Sequence, residues 1–143
     1  MPMLYHGTSR TFATAMAGTP ATGGTIDVTL GRGEFGRGFY TQSSSGNAYR
    51  RGQSLHGSNH SAMLVLDIDD AAYHGLNFQR LTLNMAQMLD ASLRNNHTQG
   101  TYTTNHDVIV GRLVGQAKIE QQKFQMVNAQ TLLNGAQTQR TVE

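Results

Sequence analysis

The sequence predicts a single α+β domain in which strands dominate and two or three helices pack on them. Short apolar and β-branched runs typical of strands alternate with stretches of helical spacing, one of which is clearly amphipathic. The 143 residues suffice for one hydrophobic core, and neither a repeat nor a linker interrupts them. We therefore expect residues 1–143 to form one domain.

The first half of the chain alternates between strand and helix patterns, with glycines and serines between them. Glycine favours turns and serine caps the free amides of a helix start, so these residues mark boundaries. The predicted segments are a strand from Met3 to His6 that ends in the turn His6-Gly7-Thr8, a helix from Ser9 to Ala17, an ordered loop from Gly23 to Gly36, a strand from Gly38 to Thr41, a helix capped by Ser43-Ser44-Ser45 that runs through Arg50, and a polar loop from Gly52 to Ser61.

The second half contains the strongest pattern of each kind. Ala62 to Ile68 is apolar until Asp67 and predicts a buried strand. The other predicted segments are an amphipathic helix from Leu81 to Leu93 that stops at Asn95-Asn96, a strand from Val108 to Val110 that Gly111 closes, a strand from Ile119 to Val127, and a polar, frayed tail from Asn134.

The composition excludes several classes of function. Cysteine is absent, which excludes disulfides, thiolate metal sites and a cysteine nucleophile. The net charge is +2 with 14% charged residues, which is not the basic footprint of a dedicated nucleic-acid binder. No apolar run approaches the roughly 20 residues of a membrane helix, so we expect no membrane partner. The start of the chain has no signal peptide pattern.

Two further groups of polar residues receive structural interpretations. His56 and His60 are four residues apart, but Gly57-Ser58-Asn59 between them indicates a loop, and no acidic ligand is near in sequence. We therefore expect no metal site. Asp107 precedes a β-branched run, and we interpret it as a residue that accepts backbone amides at the entry of a strand.

The first candidate for chemistry is His6-Gly7-Thr8 at the end of the first predicted strand. An imidazole can donate one hydrogen bond and accept another, and glycine lets a ligand approach the backbone. The alternative is a capped strand end with a half-exposed histidine, and the local sequence alone favours that alternative.

The second candidate is the segment from Gly31 to Tyr40. Its glycines expose backbone amides that can reach a pyrophosphate, and Arg32 and Arg37 supply positive charge. No strand and helix flank it in the order of a dinucleotide-binding fingerprint, and no Walker lysine follows. Tyr40 at its end, and Tyr49 nine residues later, are aromatic rings that can stack on a ligand. The alternative is a flexible surface loop.

These motifs carry a resemblance to a known family. Leu4-Tyr5-His6-Gly7-Thr8 followed by Gly36-Arg37-Gly38-Phe39-Tyr40 resembles the first two signatures of the diphtheria-toxin-like and poly(ADP-ribose) polymerase-like ADP-ribosyltransferases, the His-Tyr-Glu branch. Asp107-Val108-Ile109-Val110-Gly111 and Gln121-Gln122-Lys123-Phe124-Gln125 are similar to an uncharacterised bacterial, toxin-like family of that superfamily. The matches span residues 4 to about 133.

The resemblance implies a split β-sheet clamshell that binds NAD as co-substrate in its central cleft, without a metal. It implies that His6 bonds the ribose of the adenosine half, that the Gly7 backbone holds the nicotinamide carboxamide, and that Tyr40 and Tyr49 stack on the nicotinamide ring. The loop from Gly31 to Gly38 corresponds to the family's donor loop over the pyrophosphate. The further NAD-binding residues implied are Thr8, Arg32, Arg37, Gly38 and Phe39.

The third family position departs from the pattern, because the family commonly has a glutamate there. With Phe124 as the anchor, Gln121 occupies this position, and Glu120 is one residue out of register. Side chains alternate along a strand, so Glu120 points away from Gln121. A glutamine can orient a ribose hydroxyl but cannot act as a general base. We prefer Gln121 and keep Glu120 as the alternative.

The resemblance leads us to expect an NAD-dependent mono-ADP-ribosyltransferase that modifies a protein or nucleic acid and releases nicotinamide. It implies a bacterial toxin or effector domain, found at the C-terminal end of a larger secreted polypeptide, acting in the cytoplasm of a target cell and neutralised by an immunity protein. Two alternatives stay open: a noncatalytic nucleotide- or RNA-binding module that uses the Arg/Gly loop and the two tyrosines, and an NAD glycohydrolase.

Overall fold

The computed structural model of the protein describes residues 3–18, 25–57, 59–113 and 116–143. Within those ranges the fold is α+β, with five helices, a mixed seven-stranded sheet and a separate two-stranded hairpin. The α+β prediction is confirmed, although the helices outnumber the two or three expected. The elements are β1 (Met3–Ser9), α1 (Arg10–Ala17), β2 (Arg32–Gly33), β3 (Gly36–Arg37), β4 (Phe39–Gln42), α2 (Ser45–His56), β5 (Ser61–Ile68), α3 (Asp70–His74), β6 (Phe78–Arg80), α4 (Leu83–Asn96), β7 (Val108–Leu113), β8 (Gln116–Phe124), α5 (Val127–Asn134) and β9 (Thr138–Val142).

The chain divides into two compact units. Unit 1 comprises Met1–Ile26, Thr41–Gly75 and Thr131–Glu143, and unit 2 comprises Asp27–Tyr40 and Leu76–Gln130. Strand β4 and helix α5 each contribute residues to both units. Among the described residues, no helix combines the length and the apolar character that crossing a membrane requires.

Unit 1 is built around β5, which is buried at nearly every position. The apolar run predicted this strand, and the prediction is confirmed with Ser61 added at its start. β1 pairs antiparallel with one edge of β5 along its whole length, and β9 pairs antiparallel with the other edge. On its far side β1 pairs with β4 at Tyr5 and Gln42. Helix α2 begins at the predicted cap, since Ser44 Oγ accepts a backbone amide at 3.3 Å. Helix α1 begins after Ser9, whose Oγ accepts a backbone amide at 3.1 Å.

The turn predicted at His6-Gly7-Thr8 is wrong, because β1 continues through these residues to Ser9. Gly7 lies in the middle of the strand, opposite Met63 of β5. The backbone of α2 explains the glycine, since a Cβ atom on Gly7 would overlap the carbonyl oxygen of Ala48. Gly7 therefore permits close packing between a helix and a strand.

Two other predicted boundaries in unit 1 are also wrong. The segment from Gly52 to Ser61 is not a loop throughout, because α2 runs on to His56. Gly52 faces β1, where a Cβ atom would lie 3.0 Å from Thr8 N, so this glycine also serves packing. The tail after Asn134 is not frayed, because its residues form β9 on the edge of β5.

Unit 2 is built on β7, which pairs antiparallel with β8 and parallel with β6. The other neighbour of β8 is β4. Helix α4 begins after Thr82, whose Oγ1 accepts from Met85 N at 3.2 Å, and the predicted amphipathic helix is confirmed with bounds Leu83–Asn96. Asp107 acts as predicted at the entry of β7, where its Oδ2 accepts from Asn77 N at 2.9 Å.

The predicted ends of β7 and β8 need correction. β7 runs on to Leu113 through Gly111, which was expected to close it. The ring of Phe35 explains this glycine, because a Cβ atom on Gly111 would lie 2.7 Å from Phe35 Cζ. β8 ends at Phe124 rather than Val127, since Val127 begins α5.

Candidate functional site

The glycine- and arginine-rich segment of unit 2 forms a β-hairpin, residues 32–37, which we call the arginine hairpin. Arg32 pairs with Arg37 and Gly33 with Gly36, and Glu34 and Phe35 form the turn. Gly36 has a φ of 95°, which favours glycine. The described part of the predicted ordered loop therefore contains regular structure, and Gly23 and Gly24 at its start lie outside the described residues.

Phe35 fixes the arginine hairpin to the sheet of unit 2. Its side chain is fully buried in a cluster with Ala86 of α4 and Ile109 of β7. Contacts of the flanking backbone support this position, since Gly38 N donates to Gly31 O at 3.1 Å and Arg37 N donates to Tyr102 O at 2.8 Å. The segment is an anchored hairpin rather than a flexible surface loop.

Tyr40 ties the turn of the arginine hairpin to β4. Its hydroxyl accepts from Phe35 N at 2.9 Å and donates to Gly36 O at 2.6 Å. Its ring packs on the Phe35 cluster, and a Cβ atom on Gly33 would lie 2.9 Å from Tyr40 Cζ. Burial raises the pKa of the Tyr40 hydroxyl far above its usual value, so the group stays protonated and keeps donating.

Lys123 is a buried cation that the sequence analysis did not single out. Its side chain is fully buried, and Nζ donates to Phe35 O at 2.6 Å and lies 5.7 Å from the Tyr102 ring centroid. Gly38 leaves room for the lysine, because a Cβ atom there would overlap its Cγ. Burial, with a smaller contribution from Arg37, lowers the pKa of Lys123 to about 7. Strand alternation could have revealed it, since Lys123 shares a strand face with Gln121.

The two arginines of the hairpin differ in environment. Arg32 is exposed, whereas Arg37 is half-buried. Arg37 Nε is buried and has no hydrogen-bond partner among the described residues. A buried donor without a partner loses its water without compensation, so it marks a position where a ligand acceptor can bind.

Gln121 and Glu120 lie on opposite faces of β8, as strand alternation predicts. Glu120 is exposed, and its Oε1 accepts from Gln122 Nε2 at 3.2 Å. Gln121 is 4% exposed, and its Nε2 is buried without a hydrogen-bond partner among the described residues. Gln121 pairs directly with Gly111, the glycine that Phe35 covers, so its side chain lies on the same sheet face as Phe35.

The remaining predicted NAD-binding residues of unit 2, Gly38 and Phe39, are both buried beside the arginine hairpin. In unit 1, β1 holds His6 half-buried opposite Leu64 of β5, with Gly7 and Thr8 following on the strand. Tyr49 lies on α2, where its side chain is 44% exposed. It follows Ala48, whose carbonyl oxygen approaches Gly7.

No metal-binding group emerges from the described ranges, in which no three His, Cys, Asp or Glu side chains are grouped suitably. His56 lies in the last turn of α2, and not in the predicted loop, with its ring centroid 6.4 Å from that of Phe12. His60 is exposed just before β5.

Comparison of the chain with protein-family models and with curated proteins finds no match. The geometry of the described residues is therefore the basis on which a function is assigned.

Proposed function

We propose that the protein is an NAD-dependent ADP-ribosyltransferase, and that Tyr40 and Gln121 of unit 2 belong to its NAD site. One observation carries the proposal: Gln121, at the third motif position, is buried on the sheet face that holds Tyr40 and Phe35, and its Nε2 has no hydrogen-bond partner within the described part of the chain. The resemblance assigned both residues to one site from motifs 81 residues apart in sequence. The proposal includes the split β-sheet clamshell that the resemblance implies.

A buried amide without a partner costs stability unless a ligand or a water molecule satisfies it. Leaving such a donor unpaired costs about 1–3 kcal/mol. A ribose hydroxyl of NAD is an acceptor that satisfies Gln121 Nε2, and it gives the side chain the orienting role that the family gives its glutamate. Glu120 is exposed on the other face, which favours Gln121 for this position.

Tyr40 contributes a fixed aromatic ring. Both hydrogen bonds of its hydroxyl run to the turn of the arginine hairpin, so the ring is held in one orientation. A preorganised ring that stacks on nicotinamide positions the base without an entropic cost at the moment of reaction. The arginine hairpin next to it supplies the positive charge that a pyrophosphate requires.

The reaction breaks the bond between nicotinamide and ribose C1′, and the bonding electron pair leaves with neutral nicotinamide. The oxocarbenium-like ribosyl group then forms a bond to an acceptor atom, which releases a proton. A glutamine at position 121 cannot take up that proton, so the acceptor needs little activation or another base acts. For the residues of unit 1, the resemblance implies that His6 bonds the adenosine ribose and that Gly7, Thr8 and Tyr49 bind NAD. The proposal includes a macromolecular acceptor, a toxin or effector role in a target cytoplasm, and an immunity protein as partner.

Release of nicotinamide tests the proposal. Purified protein is incubated with NAD labelled in the nicotinamide ring, with and without bacterial or eukaryotic lysate, and free nicotinamide is measured by chromatography. We expect release by the wild type and loss of at least tenfold in Tyr40→Ala and His6→Ala. Arg80→Gln, an exposed substitution on β6, serves as the matched control and should keep full activity.

The two alternatives give different results in the same assay. Equal release with and without lysate, with free ADP-ribose as product, identifies an NAD glycohydrolase. No release under any condition contradicts the enzyme proposal, and salt-sensitive binding of short RNA would then favour the binding module.

A further inference from the structure

Lys123 and Arg37 form a pair of neighbouring cations in unit 2. The amine of Lys123 is fully buried and donates to a backbone carbonyl, that of Phe35. Arg37 and Lys123 both contact Tyr102, since Arg37 N donates to Tyr102 O at 2.8 Å and Lys123 Nζ lies 5.7 Å from the Tyr102 ring centroid, so the two positive charges repel each other. The salt bridges among the described residues include neither of the two. Two cations that share a low-dielectric environment repel each other. Among the described carboxylates, the charge of Asp27 interacts with that of Arg37, but Asp27 forms no salt bridge with it.

Arg37 is the member of the pair that an anion can reach. The residue is half-buried, so part of it contacts solvent, while its Nε is buried and unpartnered. Guanidinium groups bind the oxygens of phosphate and sulfate through paired hydrogen bonds. An oxyanion bound to Arg37 satisfies this donor and places negative charge near Lys123.

We propose that Arg37 binds an oxyanion and that Lys123 couples this binding to the uptake of a proton. Without the anion, burial and Arg37 both favour the neutral amine. With the anion in place the repulsion from Arg37 is offset, so the ammonium form of Lys123 becomes more favourable. By linkage, the anion then binds more tightly at low pH, where Lys123 is already protonated, and more weakly at high pH.

The elements around Lys123 carry other ionisable groups. Tyr102 contributes the ring near Nζ, and Tyr40 on β4 stays neutral. Glu34 in the hairpin turn and Asp90 on α4 act on Tyr40, and Asp90 pairs with Arg94 at 2.9 Å. Hydrogen bonds from Thr29 and, to a smaller extent, the charge of Arg37 lower the pKa of Asp27. Lys123 is the group of this set whose pKa lies near 7.

The pH dependence of sulfate binding tests the proposal, because sulfate keeps the same charge throughout this range. Sulfate is titrated calorimetrically at constant ionic strength, in buffers of different ionisation enthalpy so that proton uptake is measured. For the wild type we expect the affinity to fall on the order of fivefold from pH 6 to pH 9, with proton uptake near neutral pH. Arg37→Gln should lose binding, and Lys123→Met should bind with no pH dependence. Arg80→Gln is the matched charge control and should behave like the wild type.

A wild-type measurement keeps the test decisive if Lys123→Met does not fold. The chain contains two lysines, Lys118 and Lys123, so the ¹³Cε signal of Lys123 can be assigned and titrated. Sulfate should raise the pH at which this signal titrates. No sulfate binding, pH-independent binding, undiminished binding by Arg37→Gln or an unchanged Lys123 titration would each overturn the proposal.

The assignment of the NAD diphosphate as the natural anion rests on the proposed function. Competition between NAD and sulfate separates this assignment from the oxyanion proposal itself. If sulfate binds with the expected pH dependence and NAD displaces it, both proposals are supported. If NAD does not displace it, the oxyanion site stands and the assignment of NAD to it is wrong.

Discussion

The two units use glycine in the same way but differ in the polar atoms that they bury without a hydrogen-bond partner. Among the described residues these atoms are all oxygens in unit 1, whereas unit 2 also has the nitrogens Arg37 Nε and Gln121 Nε2. In unit 1, Gly7 and Gly52 let α2 approach β1 closely, beside the apolar β5. In unit 2, Gly38 and Gly111 admit Lys123 and Phe35, and the packed region includes a titratable amine and an unpartnered amide. Glycine next to a candidate site is thus no evidence of ligand contact, because packing explains all four. The unpartnered nitrogen donors and the buried amine of unit 2 are the stronger evidence for a site, since they cost stability and an acceptor on a ligand would satisfy them.

The glycine contacts of unit 1 predict the largest effect on stability. Gly7→Ala places a methyl group on the carbonyl oxygen of Ala48, and neither the strand nor the helix backbone can yield cheaply. We expect a loss of about 4 kcal/mol in the free energy of unfolding, or a chain that does not fold. Urea denaturation followed by circular dichroism measures the loss.

Gly46→Ala is the matched control for this substitution. Gly46 lies in the first turn of α2, and the nearest atom to an added Cβ is Ser44 Oγ at 4.0 Å. The free energy of unfolding should stay unchanged or rise by about 0.5 kcal/mol. A Gly7→Ala variant as stable as Gly46→Ala would contradict the close packing of α2 on β1.

The buried amine of unit 2 predicts an intermediate effect, visible as a dependence on pH. The pKa of Lys123 is about 7 in the folded chain against an ordinary 10.5, so the unfolded chain binds more protons between these values. The free energy of unfolding contributed by Lys123 is therefore lowest below pH 7 and rises with pH up to about 10.5. Between pH 7 and 10 the rise should be about 3 kcal/mol.

Lys123→Met isolates this contribution. The unfolding free energies of wild type and variant are measured by urea denaturation across the pH range. In their difference, the contributions of the other titrating groups cancel. We expect this difference to shift in favour of the wild type as the pH rises. A difference that stays constant from pH 7 to 10 shows that Lys123 does not titrate in this way.

The unpartnered amide predicts the smallest effect on stability and a large effect on activity. Gln121→Leu removes a buried donor that has no partner, so the free energy of unfolding should stay within about 1 kcal/mol of the wild type or rise. Nicotinamide release should fall at least tenfold. Glu120→Gln, at an exposed position of β8, provides the comparison. If Glu120→Gln abolishes release and Gln121→Leu does not, Glu120 is the functional residue.

The sequence predicted the elements whose signal is local. Helix α4 follows from its apolar spacing and its stop at Asn95-Asn96, and β5 follows from an apolar run that is buried against strands on both edges. Strand β9 could not be predicted, because its polar residues show no alternation and pairing with β5 alone makes it a strand. The turn expected at Gly7 failed for a similar reason, since a glycine selected by a neighbouring backbone resembles a turn glycine in sequence.

The candidate site was predictable in its positions but not in its contacts. Motif order drew attention to Tyr40 and Gln121, and alternation along β8 separated Gln121 from Glu120 correctly. The hydrogen bonds from the Tyr40 hydroxyl to the hairpin turn depend on how the chain folds back, which no local pattern encodes. Lys123 was missed because a lysine in a polar run suggests solvent exposure, whereas Gly38 and Phe35 bury it.

Backbone NMR with NAD tests the central claim most directly, because it observes the proposed residues of unit 2 in the wild-type protein. Amide signals are assigned, and NAD is added stepwise to saturation. We predict saturable shifts for Gln121 and for the arginine hairpin, with the exposed residues of α3 as an unaffected reference. A well-dispersed spectrum in which the signals of Gln121 and the arginine hairpin do not move at saturating NAD contradicts the account.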